Sequence, residues 1–215
     1  NRVIEKAIRG TAPAQINVPR DLWTQVIDIT LPQIVRLERP SGGSDAISKA
    51  AKLLSEAKFP VILSGAGVVI GNAIKECQSL AERLDAPVCN GYQHNDSFPG
   101  SHRLAAGPLG YNGSKAAMEL IAKADVVLAL GTRLNPFSTL PSYGIDYWPT
   151  KAAIIQVDIN ADRIGLTKSI TVGICGDTKL VTQQILAQLS SDAGEIDREE
   201  RKALIHQTKS SWLQT

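Results

Sequence analysis

The chain has 215 residues, of which 43% are hydrophobic and 20% charged, and its formal net charge is +2. This composition predicts a globular domain that folds in water, and so small a charge excludes the dense basic surface that binds nucleic acid or anionic membranes. The cysteines Cys77, Cys89 and Cys175 lack metal-ligand spacing, so we expect a reduced, cytoplasmic protein in which the first two are buried as small hydrophobic residues. Because the chain begins with Asn1 and its only methionine is Met118, we expect it to be processed or cut from a longer protein.

The first segments of the chain predict pieces that flank a larger domain. Residues 1–23 indicate the end of a helix, a short loop and a strand at 14–18. Residues 24–40, which include Pro32 and Pro40, indicate an irregular linker. Neither piece fits into the regular alternation of helices and strands that follows.

From Ser44 onward, helical and strand-forming segments alternate. Ser44 is predicted to cap a helix, because apolar residues follow it at helical spacing. Further helices are predicted at 73–84, 114–121 and 177–189, strands at 59–64, 86–89, 125–130, 153–159 and 169–174, a helical turn at 161–165, irregular stretches at 90–113 and 135–150, and a charged helix at 195–212. Strands that alternate with helices predict a parallel sheet covered on both faces, which is the doubly wound, Rossmann-like α/β fold.

A glycine turn follows the first predicted strand. The apolar run at 61–63 breaks at Gly65 and Gly67, and an amphipathic helical segment comes next. Glycines let a ligand approach the backbone closely, and the N–H groups at the start of a helix favour a phosphate. We expect nucleotide phosphates at this turn, with the alternative that the turn only packs strand against helix and the pocket is empty.

Polar residues follow two more of the predicted strands. Thr132 and Arg133 come after the strand at 125–130, while Asp158 and Asn160 close the next one. The carboxyl ends of parallel strands meet at one edge of the sheet, where Arg133 could pair with a diphosphate and Asp158 could accept a ribose hydroxyl. The alternative for Asp158 and Asn160 is a capped turn beside a surface ion pair.

The long polar stretch at 90–113 carries three further candidates. Gln93, His94 and His102 lie in it, and a loop of this length commonly has a function. Histidine is the usual proton carrier near neutral pH, whereas the spacing here is too loose for a metal site. We interpret the three residues as contacts with a substrate or a neighbouring subunit, the alternative being hydrogen-bonded loop residues.

Taken in order, these motifs resemble the thiamine-diphosphate enzymes, the family that contains the acetohydroxyacid synthases. Residues 14–21 are similar to the close of the pyrimidine-binding domain, and 61–67, 124–133, 155–160 and 174–177 are similar to the central domain. The resemblance covers about residues 10–190. It implies the end of the pyrimidine-binding domain at 1–23, a linker at 24–40, a Rossmann-like central domain at 41–190 and, at 191–215, a linker helix toward a diphosphate-binding domain.

The loops at 91–102, 106–115 and 135–149 resemble one acyltransferase branch of the family. This resemblance implies a whole enzyme of bacterial taurine and sulfonate degradation that releases sulfite from sulfoacetaldehyde and passes the acetyl group to phosphate. Thiamine diphosphate and Mg²⁺ would be held by a glutamate and a Gly-Asp-Gly…Asn motif that this chain lacks, since Thr178 follows Asp177. We therefore expect an inactive fragment of an enzyme that acts on small molecules as a homodimer or homotetramer.

The resemblance also bears on the nucleotide pocket and on alternative functions. Flavin-containing relatives carry an Asp-Arg pair where this chain has 135–137, so we do not expect FAD, while ADP or coenzyme A stays open. Acetolactate synthase is the alternative activity within the family. Outside it, the alternatives are a non-catalytic adenine-nucleotide-binding module and an NAD-dependent deacylase, although the zinc-binding cysteine pairs of the deacylases are absent.

Overall fold

A computed structural model describes residues 2–10, 12–30, 33 and 38–213. The chain divides into two compact units, Asn1–Arg39 and Pro40–Thr215. In the first unit, helix α1 (Arg2–Gly10) precedes a 3-10 helix at Arg20–Thr24. The strand predicted at 14–18 is wrong: these residues are exposed and form no strand, because a strand needs a neighbour for its backbone bonds and none of the described residues supplies one. Of the predicted linker, residues 31, 32 and 34–37 lie outside the described residues.

The second unit is built on one parallel sheet. Its strands are β1 (Pro60–Ser64), β2 (Val88–Asn90), β3 (Ala105–Pro108), β4 (Val126–Leu130), β5 (Ala153–Asp158) and β6 (Val172–Cys175). They lie in the order β3-β2-β1-β4-β5-β6, and every neighbouring pair is parallel. The predicted doubly wound α/β fold is confirmed, since the chain first moves outward from β1 and then returns to its other side.

Helices cover both faces of the sheet. They are α2 (Ser44–Glu56), α3 (Ala66–Ile70), α4 (Ile74–Leu84), α5 (Lys115–Ile121), the single turn α6 (Pro136–Thr139), α7 (Thr178–Gln188) and α8 (Arg198–Leu213). Right-handed connections from β1 to β2 and from β3 to β4 run in opposite directions, so they place α4 and α5 on opposite faces. Accordingly, α7 packs with α2 and α4, whereas α5 packs with α8.

The centre of the sheet is apolar because helices cover it on both sides. Every residue of β1 and β4 is buried, as expected for parallel strands that read as continuous hydrophobic runs. The edge strand β6 instead alternates between buried and exposed residues. The thiols of Cys77 and Cys89 are buried as predicted, and burial raises the pKa of Cys77 to about 12 despite a hydrogen bond with Ser64.

Of the two predicted helix caps, one is confirmed and one is wrong. The Ser114 hydroxyl accepts the Ala117 N–H at 3.2 Å, so it caps α5 as predicted. The predicted cap at Ser44 is wrong: Gly43 is the capping residue, and the Ser44 hydroxyl donates to the side chain of Asp45. The chain bends one residue earlier than the sequence indicates, because Gly42 adopts a left-handed conformation (φ 83°) that brings it against the core.

Strand β3 and helix α3 are among the short elements that the sequence-based prediction missed. Strand β3 lies inside the stretch expected to be irregular at 90–113, because its residues are small and only its pairing with β2 defines it. Helix α3 lies between the glycine turn and the amphipathic helix α4, which is predicted at 73–84 and begins at Ile74. Gly71 is the C-cap of α3, and a Cβ there would lie 2.4 Å from the Thr178 hydroxyl oxygen, so a side chain at this position would displace Thr178.

The turns after β1 and β4 touch through their backbones. Gly67 N–H donates to the Gly131 carbonyl at 2.8 Å, and Gly65 N–H donates to the Leu130 carbonyl at 3.0 Å. A Cβ on Gly67 would lie 2.6 Å from Gly131 Cα, and a Cβ on Gly65 would lie 2.6 Å from Thr132 Cβ. Only glycine fits at these positions, because any side chain would push the two strand ends apart.

Two arginines fix the connection from α7 to α8. Arg201 of α8 is fully buried, and its guanidinium donates to five carbonyl oxygens, those of Lys58, Leu84, Asp85, Gly194 and Ile196. Arg83 of α4 donates at 2.6–2.7 Å to three more, those of Ser190, Ser191 and Ala193. The charged helix predicted at 195–212 therefore packs as part of the second unit.

A buried carboxylate joins the end of α4 to α8. Asp85 is fully buried in the left-handed conformation (φ 47°), and it pairs with Arg198, with Arg103 at 2.5 Å and with Lys202 at 3.9 Å. Burial raises the pKa of Asp85, but the hydrogen bonds and charges of Arg103 and Arg198 outweigh it and hold the pKa below its ordinary value. The negative charge of Asp85 is thus part of what holds α8 in place.

We predict that Gly67→Ala lowers the free energy of unfolding by about 2 kcal/mol, because overpacking at the contact with Gly131 outweighs the helix propensity that alanine adds. Gly100→Ala is the matched control, since a Cβ there meets no atom within 4 Å; its effect should stay within about 0.5 kcal/mol. Urea unfolding measures both values. A Gly67→Ala variant as stable as the wild type would contradict the close backbone contact.

Asp85→Asn should destabilise the second unit by about 1.5–3 kcal/mol at pH 7, because it removes the buried carboxylate charge that the partly exposed Arg103, Arg198 and Lys202 pair with. Asparagine keeps the size and tolerates the left-handed conformation. The pKa of Asp85 is lowered by folding, so its contribution is present above the ordinary carboxyl pKa and disappears as the pH falls through the folded value. The difference between wild type and variant should therefore shrink below about pH 4.

Denaturant unfolding from pH 7 to pH 3 measures this difference. The control is Glu199→Gln, which breaks a surface pair with Lys202 (2.8 Å) and should cost no more than about 0.5 kcal/mol at any pH. A difference between wild type and Asp85→Asn that does not change with pH would refute the role of the charge.

Candidate functional site

The carboxyl edge of the sheet brings together most of the residues that the sequence singled out. Gly65 and Gly67 follow β1, Thr132 and Arg133 follow β4, and Asp158 and Asn160 stand at the end of β5. Because all six strands are parallel, these ends share one edge. The contact between the turns after β1 and β4 lies where the strand order reverses, which is the place where open α/β sheets bind ligands.

At the glycine turn, two of the backbone donors that could hold a phosphate already have partners. Gly67 N–H donates to the Gly131 carbonyl, and Val68 N–H donates to the Gly65 carbonyl at 3.0 Å. The Gly67 carbonyl in turn accepts the Thr178 hydroxyl at 2.8 Å. A phosphate at this turn would have to compete with these bonds, so the geometry favours the packing role that the sequence left as the alternative.

The segment after β4 offers one charged group to solvent. The Thr132 hydroxyl accepts the Leu134 N–H at 3.3 Å, which supports the left-handed conformation of the buried Leu134 (φ 53°). The Arg133 carbonyl accepts the Thr167 hydroxyl at 3.1 Å, while its exposed guanidinium has no hydrogen bond or ion pair with any residue in the described part of the chain. Arg133 is therefore free to meet an anion.

The end of β5 forms a capped turn. The buried Asp158 carboxylate accepts the Asn160 N–H at 2.8 Å, and the Asn160 side chain accepts the Asp162 N–H at 3.0 Å. The buried side chain of Gln156 joins this turn to the β4 loop, because it donates to the Thr132 and Arg163 carbonyls. The sequence analysis missed Gln156, although a glutamine inside an apolar strand is a signal for such a buried contact.

Beyond β2, a small polar network holds the loop that contains Gln93 and His94. Buried Ser97 donates to the His94 carbonyl at 2.8 Å and accepts the Asn90 side chain at 3.0 Å, and the Ser64 hydroxyl donates to the Ser97 carbonyl. Gln93 is exposed in a left-handed conformation (φ 68°). The network places Gln93 and His94 at the carboxyl edge, and no pattern in the sequence singled out Ser97.

His102 lies at the amino ends of the strands, opposite to the carboxyl edge of the sheet. The loop after β2 returns to the amino end before the parallel strand β3 begins at Ala105, so His102 and His94 stand at opposite ends. His102 Nδ1 accepts the Leu104 N–H at 3.2 Å, which leaves Nε2 to donate to Glu82 at 3.0 Å. Hydrogen bonds from Gln78 and then His102 lower the pKa of Glu82. These contacts are those of a structural residue.

The described residues offer no cluster of side chains that could ligate Mg²⁺. Among the described residues, no three His, Cys, Asp or Glu side chains come together as metal ligands. The Asp177 carboxylate, which stands in the Gly-Asp dipeptide, caps α7 by accepting the Lys179 and Leu180 N–H groups at 3.0 and 3.2 Å. Within the same residues, no helix combines the length and hydrophobicity that a membrane span requires.

Comparison with protein families identifies the class. The model described as "Thiamine pyrophosphate enzyme, central domain" matches residues 47–185, so the chain belongs to the thiamine pyrophosphate enzyme family. Its fold agrees with the solved benzoylformate decarboxylase from Polynucleobacter necessarius, with a TM-score of 0.68 over 80% of this chain and 32% of that one. At 20% identity, that likeness concerns the fold alone.

Curated relatives narrow the similarity within the family. The chain is 80% identical to a probable sulfoacetaldehyde acetyltransferase of Rhizobium meliloti (strain 1021) and 72% identical to a sulfoacetaldehyde acetyltransferase of Roseovarius nubinhibens, over 100% of this chain and 36% of each relative. It is 37% identical to a probable acetolactate synthase large subunit of Methanocaldococcus jannaschii, over 82% of the chain and 31% of that protein. The chain thus spans about a third of the length of the curated relatives it matches.

Proposed function

We propose that this chain is the central part of a thiamine-diphosphate-dependent sulfoacetaldehyde acetyltransferase. The observation that carries the proposal is the 80% and 72% identity over the whole chain to relatives of that name, against 37% to an acetolactate synthase subunit. The whole enzyme would convert sulfoacetaldehyde and phosphate into acetyl phosphate and sulfite. No external oxidant is needed, because the aldehyde carbon reaches the acyl level as the neighbouring carbon–sulfur bond breaks and that carbon becomes a methyl group.

In this proposal the chain does not itself hold thiamine diphosphate or Mg²⁺. Asp177 is engaged as a helix cap, and no metal-ligand cluster exists among the described residues. We therefore assign thiamine diphosphate and Mg²⁺ to parts of the parent protein outside this chain, within a cytoplasmic homodimer or homotetramer. Residues 1–23 would close the pyrimidine-binding domain, 24–40 would link it to the central domain at 41–190, and 191–215 would lead onward. Sequencing the parent gene tests this: a missing Gly-Asp-Gly…Asn motif beyond residue 215 would refute it.

We predict that the whole parent protein releases sulfite from sulfoacetaldehyde in the presence of thiamine diphosphate, Mg²⁺ and phosphate, whereas the 215-residue chain alone releases none. The reason is that the described residues offer no metal-ligand cluster and no free carboxylate at the Gly-Asp dipeptide. Sulfite and acetyl phosphate are assayed in parallel. Pyruvate replaces sulfoacetaldehyde in the control reaction. Acetolactate from pyruvate without sulfite from sulfoacetaldehyde would transfer the assignment to acetolactate synthase.

A second candidate function is adenine-nucleotide binding at the carboxyl edge. The observation that favours it is the exposed guanidinium of Arg133. This residue follows β4, next to the turn at Gly65 and Gly67, and its guanidinium has no partner among the described residues. In this proposal Arg133 pairs with a diphosphate and Thr132 lies beside that diphosphate. Asp158 and Asn160 accept hydrogen bonds from the ribose hydroxyls. ADP and coenzyme A are the ligands to test, and FAD is expected not to bind. Gln93 and His94 remain proposed contacts for a substrate, whereas His102, which is bonded to Glu82 at the amino ends of the strands, remains a proposed contact for a neighbouring subunit.

If a nucleotide binds there, Arg133→Ala should weaken its binding by about ten- to a hundredfold, because one charge-assisted contact is worth roughly 1.5–3 kcal/mol. Calorimetric titration of ADP and coenzyme A into wild type and variant measures the change. Lys123→Ala is the control, since it removes the same charge from an exposed residue just before β4, at the amino edge. Equal affinities for the wild type and Arg133→Ala would place the ligand elsewhere, and no binding at all would support the packing role of the glycine turn.

A further inference from the structure

Helix α8 is held to the rest of its unit by polar groups rather than by apolar side chains. Among the α8 side chains that the structure describes, Ile205 is the only apolar one that is buried, and the others that are buried are the polar Arg201 and Thr208. The helices α2, α4 and α5 each bury four or more apolar side chains, although all three are shorter than α8. Helix α8 therefore adds little to the apolar core.

The polar contacts of α8 reach several other parts of the unit. The five N–H groups of the Arg201 guanidinium donate to carbonyls at the end of α4, before β1 and in the connection from α7. Lys209 donates to the carbonyls of His102 and Arg103 at 3.4 and 2.8 Å, in the loop that precedes β3. The His102 carbonyl also accepts the Ala105 N–H at 3.0 Å, so α8 supports the start of β3.

Polar contacts of this kind are exchanged for contacts with water when a helix leaves its position. The freed carbonyls and the Arg201 guanidinium would bond to water, so each hydrogen bond contributes only a fraction of its strength. Asp85 and its cationic partners would regain the hydration that burial removes. Apolar surface has no such compensation, and the central strands β1 and β4 are buried throughout. Releasing α8 should therefore cost far less free energy than unfolding the sheet.

We propose that α8 and its connection from α7, residues 189–213, form a strap that opens as one unit while the sheet stays folded. Proteins open locally in contiguous cooperative units whose free energies differ. Arg201 donates to the Gly194 and Ile196 carbonyls, which ties the helix to the connection, so the two leave together. Opening also releases the loop before β3, whose other end carries Gln93 and His94, without unfolding the sheet. The proposal concerns the chain itself and does not depend on the activity of the parent.

Hydrogen exchange of backbone amides, followed residue by residue in the 215-residue chain by NMR, tests the strap directly. Relative to the rates of an unstructured chain, we expect the amides of α8 to exchange at least about a hundredfold faster than those of β1 and β4. The Ala105 amide should exchange with α8, because its acceptor, the His102 carbonyl, is bonded to Lys209. Equal protection of α8 and the strands would overturn the proposal, and an Ala105 amide that follows the strands would overturn the release of the loop.

A weakened sheet separates opening of the strap from unfolding of the whole unit. Ile155→Val removes one buried methylene from β5 and destabilises the folded sheet equally whether the strap is closed or open. The amides of β1 and β4 should therefore exchange about two- to tenfold faster, whereas those of α8 keep their wild-type rates. If the α8 amides accelerate by the same factor as the strands, α8 opens only when the sheet unfolds and there is no strap.

A second variant tests what holds the strap closed. Arg201→Lys keeps the charge but cannot supply five donors in fixed directions, so the α8 amides should exchange at least about tenfold faster. Gln207→Ala is the matched control, because Gln207 is exposed on the same helix and its replacement should leave the exchange rates of α8 unchanged. Wild-type exchange of α8 in Arg201→Lys, or acceleration as large in Gln207→Ala, would show that Arg201 does not hold the strap and would overturn the proposal.

Discussion

The backbone contact between the turns after β1 and β4 is the constraint on which this unit depends. At the point where the strand order reverses, Gly67 and Gly131 approach so closely that neither can carry a side chain. The two turns satisfy each other's N–H and carbonyl groups there, which would otherwise be left unpaired next to a buried sheet. The contact fixes the direction of α3 and the place where Thr132 and Arg133 leave β4. Because of this contact, the glycines serve close packing, although their sequence pattern is typical of phosphate binding.

A second constraint acts at the other edge of the sheet, where charge rather than close approach holds the elements together. Arg201 satisfies five carbonyl groups and Arg83 three, so the connection from α7 to α8 has a defined path. Asp85 supplies the opposite charge at the end of α4. A guanidinium suits this task because its five donors lie in one plane with fixed directions. These bonds therefore hold helix α8 in a defined position against the rest of the unit.

These two constraints stabilise the fold, whereas the carboxyl edge of the sheet carries the residues that we propose for binding. The edge carries Arg133, whose guanidinium has no partner within the described part of the chain, a polar loop held by Ser97, and the stacked rings of Tyr92 and Phe137. The family follows from the match over residues 47–185, but the fold by itself does not give a function, since one α/β fold serves many chemistries. The specific assignment rests on identity over the whole chain, and the site residues provide the means of testing it.

The sequence by itself determined the fold class, the apolar strands β1, β4 and β5, the cap at Ser114 and the family, because each depends on residues that are close in the chain or on the order of motifs. It could not place β3, whose small residues form a strand only through pairing with β2. It grouped His102 with His94, although parallel pairing carries them to opposite edges, and it did not show that Arg201 is buried. Those features were decided by tertiary structure, because their partners lie far apart in sequence and meet only when the sheet has formed.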